Sequence, residues 1–291
     1  MDTREVYTIG KILEQGYKTL KESNNCSYIL DSQLLLSKII NKDKLFIMLN
    51  RDFQISSEEA KGYFELIKLR KNKMPIKYIL GYTEFMGLNF KVKEGVLIPR
   101  PDTEILVENV ISVINKNKYM NIADVCCGSG AIGVSIAVYC PKAHIDCFDI
   151  SNTACEVTSE NSSIQETTHR LKVYKSDLLE VAIKNGSMYD VIVSNPPYIR
   201  KDVIPSLMED VRDYEPYEAL DGGEDGLYFY RRIALESKGV LKNNGLIALE
   251  IGHDQREAVT EILKNSKFHT IECYKDLAGN DRVITAYLNN K

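Results

Sequence analysis

Asn121-Ile122-Ala123-Asp124-Val125-Cys126-Cys127-Gly128-Ser129-Gly130-Ala131-Ile132-Gly133 reads as a buried strand, a glycine turn and the start of a helix. Glycine at such a junction permits positive φ and lets a ligand approach the backbone, while the helix that follows presents unpaired N–H groups. Nineteen residues after Gly130 stands Asp149, at the end of the next apolar run. A carboxylate so placed can accept both hydroxyls of a ribose. Gly128 to Gly133 also spells the G-x-G-x-x-G dinucleotide fingerprint, which keeps a nicotinamide or flavin enzyme in play. Asp124 leans the other way, toward S-adenosylmethionine. Dinucleotide strands are usually apolar up to their glycines, and this acid lies four residues before Gly128. The turn alone does not decide.

Outward from the turn, strand and helix patterns alternate. Ile122–Cys126 precedes a helix from Gly130, and Ile145–Phe148 precedes one from Ser151. Leu171–Tyr174, Val191–Ser194 and Leu246–Ile251 are further strands, and Thr270–Tyr274 with Val283–Leu288 form a closing pair. This order predicts a parallel sheet with helices on both faces. Residues 1 to about 74 read as helices, with apolar spacing in Ile9, Ile12 and Leu13, in Ile29, Leu30, Leu34 and Leu35, and in Phe64, Ile67 and Leu69. Ser56-Ser57-Glu58-Glu59 is a capping-type start for the third of these. Lys68, Arg70, Lys71, Lys73 and Lys77 read as a solvated helix end rather than a docking patch. Pro75 ends the helical region, and Phe85–Val92 forms a short hairpin around Gly87. The prolines of Val96–Glu104 forbid regular structure and mark a junction. Ile199–Gly226 is a long connection, expected to be a lid or substrate loop.

Composition narrows the class. The chain has 291 residues, 37 Lys plus Arg against 41 Asp plus Glu, and a net charge of −4. Apolar residues make up 44%, enough for two globular domains, and the mild acidity argues against a protein built to grip nucleic-acid phosphates. The longest uncharged stretch, Val125–Cys140, is short and broken by glycines, so no membrane span is expected. Acids from the second residue and the lack of an apolar run near the start lead us to expect no secretory leader. Seven scattered cysteines without a CxxC, and four distant histidines, predict reduced thiols in a cytoplasm and no metal site.

A second motif carries the chemistry. The apolar run Asp190–Ser194 ends in Asn195-Pro196-Pro197-Tyr198 at the carboxyl edge of the expected sheet, where open α/β folds bind ligands. Asn195 offers a side-chain carbonyl, the prolines fix the neighbouring backbone carbonyls, and Tyr198 offers a flat face. Two fixed acceptors suit a planar NH₂, and hydrogen bonds to both its protons favour the bent geometry that frees its lone pair. Beside a sulfonium methyl, this completes an in-line displacement made of positioning and electrostatics. Adenine N6, cytosine N4 and the amide of glutamine or asparagine carry such a group. The two bases require flipping into a basic channel.

Along nearly its full length the chain resembles the HemK/PrmC family, the protein-(glutamine-N5) methyltransferases that act on peptide chain release factors. The resemblance runs through Pro75–Gly81, Ile98–Glu104, the glycine turn, Asp149–Ser151 with Ala154 and Asn161, and Asn195–Tyr198. It continues through Tyr214–Pro216, Ala219-Leu220, Gly222-Gly223, Asp225–Leu227, Glu250–Gly252 with Gln255, and Asp276–Gly279 with Asp281-Arg282. It implies an α/β, Rossmann-like class I S-adenosylmethionine-dependent methyltransferase domain with a small N-terminal helical domain. The implied boundaries are 1–79 for the helical substrate-binding domain, 80–98 for a β-hairpin linker and 99–291 for the methyltransferase domain. Asp124, Cys126, Cys127, Gly128, Ser129, Gly130, Asp149, Asp177, Leu178 and Asn195 are the implied cofactor residues, with Ser176–Leu178 beside the adenine. Asn195 and the Pro196 carbonyl would hold the target amide with Pro197 and Tyr198 against it, and Arg100 and Glu104 join the substrate set. Arg100 could equally pair with a nearby acid. Cys126 stands where the family has its first glycine, and its thiol would crowd the cofactor unless the local φ is negative. The implied substrate is the glutamine of the Gly-Gly-Gln loop of class I release factors, methylated by a monomer without nucleic acid or membrane. The alternatives are a ribosomal-protein glutamine and, more remotely, adenine N6 of a nucleic acid.

Overall fold

A computed structural model describes residues 7–289, which divide into two compact units. The first runs to Tyr82 and takes in Glu209–Tyr214. It contains β1 (Tyr7–Thr8), α1 (Ile9–Glu22), α2 (Tyr28–Ile40), α3 (Lys44–Leu49), β2 (Gln54–Ile55), α4 (Ser57–Lys71) and α5 (Ile76–Leu80). Ile9, Ile12, Leu13 and Leu20 form the buried face of α1. Gly16 lets α4 approach, because a Cβ there would lie 2.0 Å from the Tyr63 hydroxyl. The expected capping box opens α4: the Ser56 hydroxyl accepts from Glu59 N–H, and the Glu59 carboxylate accepts from Ser56 N–H.

Three expectations for this unit need correction. Ile29 and Leu30 are exposed, while Leu35 is buried as its spacing predicts and is joined in the core face of α2 by Leu36. Pro75 does not end the helical region; it precedes α5, where its missing N–H costs nothing. The basic cluster is not simply solvated. Arg70 Nε lies 2.7 Å from the buried Asp31 carboxylate and Arg70 also donates to Met74 O at 3.0 Å, while Lys73 Nζ donates to Ser23 O at 2.6 Å.

The second unit follows Tyr82 and contains the rest of the chain. It holds most of the hairpin β3 (Tyr82–Phe85) and β4 (Leu88–Lys91), then α6 (Glu104–Asn117), β5 (Asn121–Val125), α7 (Ala131–Tyr139), β6 (His144–Asp149), α8 (Asn152–Ile164), β7 (Leu171–Lys175), α9 (Glu180–Lys184) and β8 (Tyr189–Ser194). After β8, α10 (Glu209–Arg212) groups with the first unit, and α11 (Tyr228–Glu236), β9 (Leu241–Glu250), α12 (Arg256–Asn265), β10 (Phe268–Lys275) and β11 (Asp281–Leu288) complete the second. The prolines before α6 do admit a regular turn, since Pro101–Thr103 is a 3₁₀ turn running straight into the helix.

The sheet has seven strands in the order β10-β11-β9-β8-β5-β6-β7. It is parallel from β9 through β7, as the alternation predicts, but β11 runs antiparallel to both β9 and β10. The closing pair expected from Thr270–Tyr274 and Val283–Leu288 thus forms as the antiparallel edge of the sheet. A tight turn at Asp276–Asn280, whose Asp276 carboxylate accepts from Ala278 and Asn280 N–H, sends β11 back between its neighbours. Apolar residues of α6, α7 and the hairpin cover one face, and those of α9, α11 and α12 the other. Among the described residues no helix is long and apolar enough to cross a membrane.

Candidate active site

The carboxyl ends of β5, β6 and β8 open on a cleft of about 590 Å³. This is where sheet strands of opposite exit direction leave a crevice. Its walls come from the turn after β5 (Cys126–Ser129), the end of β6 (Asp149–Ser151), Ser176–Leu178 after β7, and Asn195 and Pro197 after β8. Arg100 and Thr103 close one side, and Pro216, Glu218, Ala219 and Phe229 another. Of the residues singled out in the sequence, Asp124, Gly130, Pro196, Tyr198 and Glu104 are absent from this lining.

The three glycines of the turn do different work. Gly128, at φ +55°, faces open space, so a ligand can lie against its backbone. At Gly130 a Cβ would meet the Thr158 side chain at 2.7 Å, and at Gly133 it would meet Cys147 Sγ at 2.7 Å. Those two serve helix packing. Asp124 lies beneath the turn, fully buried, with Oδ2 accepting from Gly133 N–H at 2.8 Å. Burial pushes its carboxyl up to about 7 against that hydrogen bond. It holds the start of α7 from beneath the turn.

Asp149 stands at the cleft wall. Oδ2 accepts from Gly128 N–H and Oδ1 from Ser151 N–H, both at 2.9 Å. Burial raises its pKa, opposed by these backbone donors. A carboxylate has about four acceptor positions, so two remain for the hydroxyls of a ribose. With the open backbone of Gly128 and the apolar walls of Ile132, Phe148, Ile150 and Leu178, the residues present fit a nucleoside cofactor. Asp177 is oriented by Arg232, whose Nη1 donates to both carboxylate oxygens at 2.9 and 3.0 Å.

Cys126 has φ +60°, so the turn keeps the conformation a glycine would take while carrying a Cβ and a thiol into the cleft wall. Burial and the nearby Asp149 raise the thiol pKa well above its ordinary value, which makes it a poor nucleophile. Cys127 turns inward, its Sγ 3.4 Å from Thr158 Oγ1.

Asn195 follows β8, and its neighbour Ser194 pairs in register with Val125 of β5 and donates to Val125 O at 2.6 Å. The turn and the Asn195 motif are thus side by side on adjacent strands. Asn195 Nδ2 donates to Thr103 Oγ1 at 3.3 Å, which leaves Oδ1 as an acceptor. Tyr198 sits behind the cleft, its hydroxyl 3.4 Å from Glu250 Oε1 and its carbonyl accepting from Gln255 Nε2 at 3.0 Å. Arg100 pairs with the acid Glu215, Nη2 to Oε2 at 2.6 Å. The Glu104 carboxylate accepts from Met86 N–H in the hairpin at 2.6 Å and so faces away from the cleft.

Two residues escaped the sequence reading. Thr103 lies in Ile98–Glu104 and Glu250 in Glu250–Gly252, neither with a role in the sequence, and Glu250 ends a buried apolar strand at 1% exposure. The signal for Glu250 was available: an acid closing a strand run, as Asp149 does.

Known proteins resemble the chain throughout. Residues 11–81 match the family model "PrmC N-terminal domain", and residues 101–210 match "Methyltransferase small domain". A release factor glutamine methyltransferase of Clostridium botulinum is 55% identical over 94% of this chain and 97% of its own length. One from Clostridium acetobutylicum is 53% identical over 94% and 96%. In fold, a 16S rRNA guanosine methyltransferase of T. thermophilus, solved with AdoMet and guanosine, superposes with a TM-score of 0.51 at 15% identity, over 72% of this chain and 50% of that one. The second unit therefore has the class I S-adenosylmethionine-dependent methyltransferase fold, and the chain belongs to the release factor glutamine methyltransferase family.

Proposed function

We propose that the protein transfers a methyl group from S-adenosylmethionine to the side-chain amide nitrogen of the glutamine in the Gly-Gly-Gln loop of class I peptide chain release factors. The observation that carries this is the acceptor Asn195, held by Thr103 and set one strand away from the glycine turn. The names of the relatives support the choice of substrate.

In this reading Asp149 takes the ribose hydroxyls, Gly128 and its neighbours carry the methionine end, and Ser176–Leu178 flank the adenine. Asp124 and Gly130 act from beneath by shaping the turn. The bound cofactor supplies an electrophilic methyl on a sulfonium, which leaves a neutral thioether when the nitrogen takes it. Asn195 Oδ1 and the Pro196 carbonyl each accept one amide proton, Pro197 stiffens that pair, and Tyr198 supports it from behind. The lone pair so freed forms the new N–C bond, and one amide proton leaves to water. Arg100 acts through Glu215 on the loop at the cleft mouth. We assign protein-substrate binding to residues 1–79, connection to 80–98 and chemistry to 99–291, in a monomer working in the cytoplasm.

The test is incubation of the protein with a release factor and labelled S-adenosylmethionine. The expected result is a gain of about 14 Da on the Gly-Gly-Gln peptide, falling about 10²- to 10³-fold in rate for Asn195→Ala, since a positioned hydrogen-bonding group is removed. Methylation of a ribosomal-protein glutamine with none on any release factor would replace this substrate by the other.

A further inference from the structure

Proline has no N–H, so Asn195-Pro196-Pro197-Tyr198 crosses two residues that bring no backbone donor of their own. Each proline also fixes its own φ and restricts the residue before it, which leaves the segment stiff. A stiff segment is placed by its two ends. The first end is set by β8, where Ser194 pairs in register with Val125. The second is the Tyr198 carbonyl, and the side chain that holds it is Gln255.

Gln255 stands just before α12 and is 8% exposed. Its Nε2 donates to Tyr198 O at 3.0 Å and to Gly226 O at 3.1 Å. Its Oε1 accepts from Gly252 N–H at 2.9 Å, with the Tyr230 hydroxyl 3.2 Å away. A backbone N–H only donates and a carbonyl only accepts, so the amide can sit here in one orientation alone. Both of its protons and both of its lone pairs are engaged. A carboxylate of the same shape would set an oxygen against two carbonyls.

Three glycines make room for this contact. A Cβ at Gly226 would lie 2.6 Å from Tyr198 O and 2.7 Å from Gln255 Nε2. One at Gly222 would lie 2.7 Å from Tyr198 Cα, and one at Gly252 would lie 2.9 Å from Gln255 Oε1. The chain leaving the motif is bound to the same loop, since Ile199 N–H donates to Leu220 O at 3.0 Å and Gly222 N–H to Ile199 O at 2.8 Å.

We propose that Gln255 is a positioning residue which, by fixing the Tyr198 carbonyl, sets where the Pro196 carbonyl stands as the second acceptor for the target amide. This rests on the reading that Asn195 and the Pro196 carbonyl accept from that amide. Gln255 is not part of the cleft lining, so it works through the backbone it holds.

The experiment measures release-factor methylation by the full chain, with calorimetric S-adenosylmethionine binding, melting temperature and amide exchange, for wild type, Gln255→Glu, Gln255→Met and Gly226→Ala. Gln255→Glu keeps an acceptor for Gly252 N–H but loses the two donors, and Gln255→Met fills the space without hydrogen bonds. Gly226→Ala pushes a methyl against Tyr198 O and Gln255 Nε2 from the other side. Each is expected to lower kcat about 100-fold, the cost of a misplaced acceptor, with S-adenosylmethionine affinity within about twofold of wild type. Gln255→Glu combined with Gly226→Ala is expected to be no slower than the slower single variant, because both act on one contact. A residue serving the fold alone would lower the melting temperature and leave kcat per folded molecule unchanged. That result in any folded Gln255 variant overturns the proposal. In wild type, the Ile199 and Gly222 amides are expected to exchange as slowly as those of β8, and to quicken in Gln255→Met. Rapid exchange in wild type overturns the clamp even if every variant fails to fold. Wild type that methylates no release factor sinks the substrate reading instead, with the exchange still deciding the clamp.

Discussion

Cys126 holds φ +60°, a conformation that costs a side-chain-bearing residue roughly 1–2 kcal/mol. Replacing it by glycine removes that strain but loosens the unfolded chain, worth about 0.4–1 kcal/mol in the other direction. The strain is the larger of the two, so Cys126→Gly is expected to raise the urea midpoint slightly. It also clears a thiol from the cleft wall, and calorimetry should find S-adenosylmethionine bound at least as tightly. A lower midpoint with weaker binding would mean that the thiol contributes packing that the backbone strain hides. Whether Cys126 crowds the cleft depends on its φ, which no spacing of residues in the chain fixes. By contrast, the role of Asp149 was legible from its place at a strand end, because a strand end has one direction in which to point a carboxylate.

At the scale of elements, a partly buried ion pair helps tie down the connection after β8. Arg100 meets Glu215, which is almost wholly buried, and the next residues, Pro216, Glu218 and Ala219, line the cleft. Breaking a buried pair is costly, though Arg100 is 37% exposed and solvent takes part of the loss. Arg100→Ala is expected to raise KM for the release factor about tenfold with a smaller change in kcat, the pattern of lost binding rather than lost chemistry. Hydrogen exchange should quicken at residues 215–221, and unchanged exchange there would refute the clasp. The pairing itself was one of two readings open in the sequence. Arg100 and Glu215 are 115 residues apart, and no periodicity links them.

Across the whole molecule, the alternation of strands and helices carried the parallel core of the sheet, and the apolar spacing in α1 and the capping box of α4 carried the helical unit. Two things stayed hidden. An antiparallel strand shows the same two-residue period wherever it is inserted, so β11 could not be ordered between β9 and β10 beforehand. Ile29 and Leu30 share their spacing with true core residues, and only the neighbouring helices decide which apolar side of α2 is covered. Charge is a property of the same scale. At −4 the chain lacks the basic excess that nucleic-acid binding rewards. Excess duplex DNA or RNA is therefore expected to leave release-factor methylation unchanged at low salt. Strong competition that fades steeply with added salt would contradict this.

The register of Val125 with Ser194 has a consequence for how such an enzyme can be altered. The glycine turn and Asn195 leave neighbouring strands about 4.8 Å apart, so their relative placement is a backbone dimension that no hinge has to set. Loops beyond those two strand ends can therefore be exchanged to admit new partners while the turn and Asn195 keep their relative placement. A single-residue insertion within either strand would do the reverse, sparing every recognition surface and misaligning the transfer.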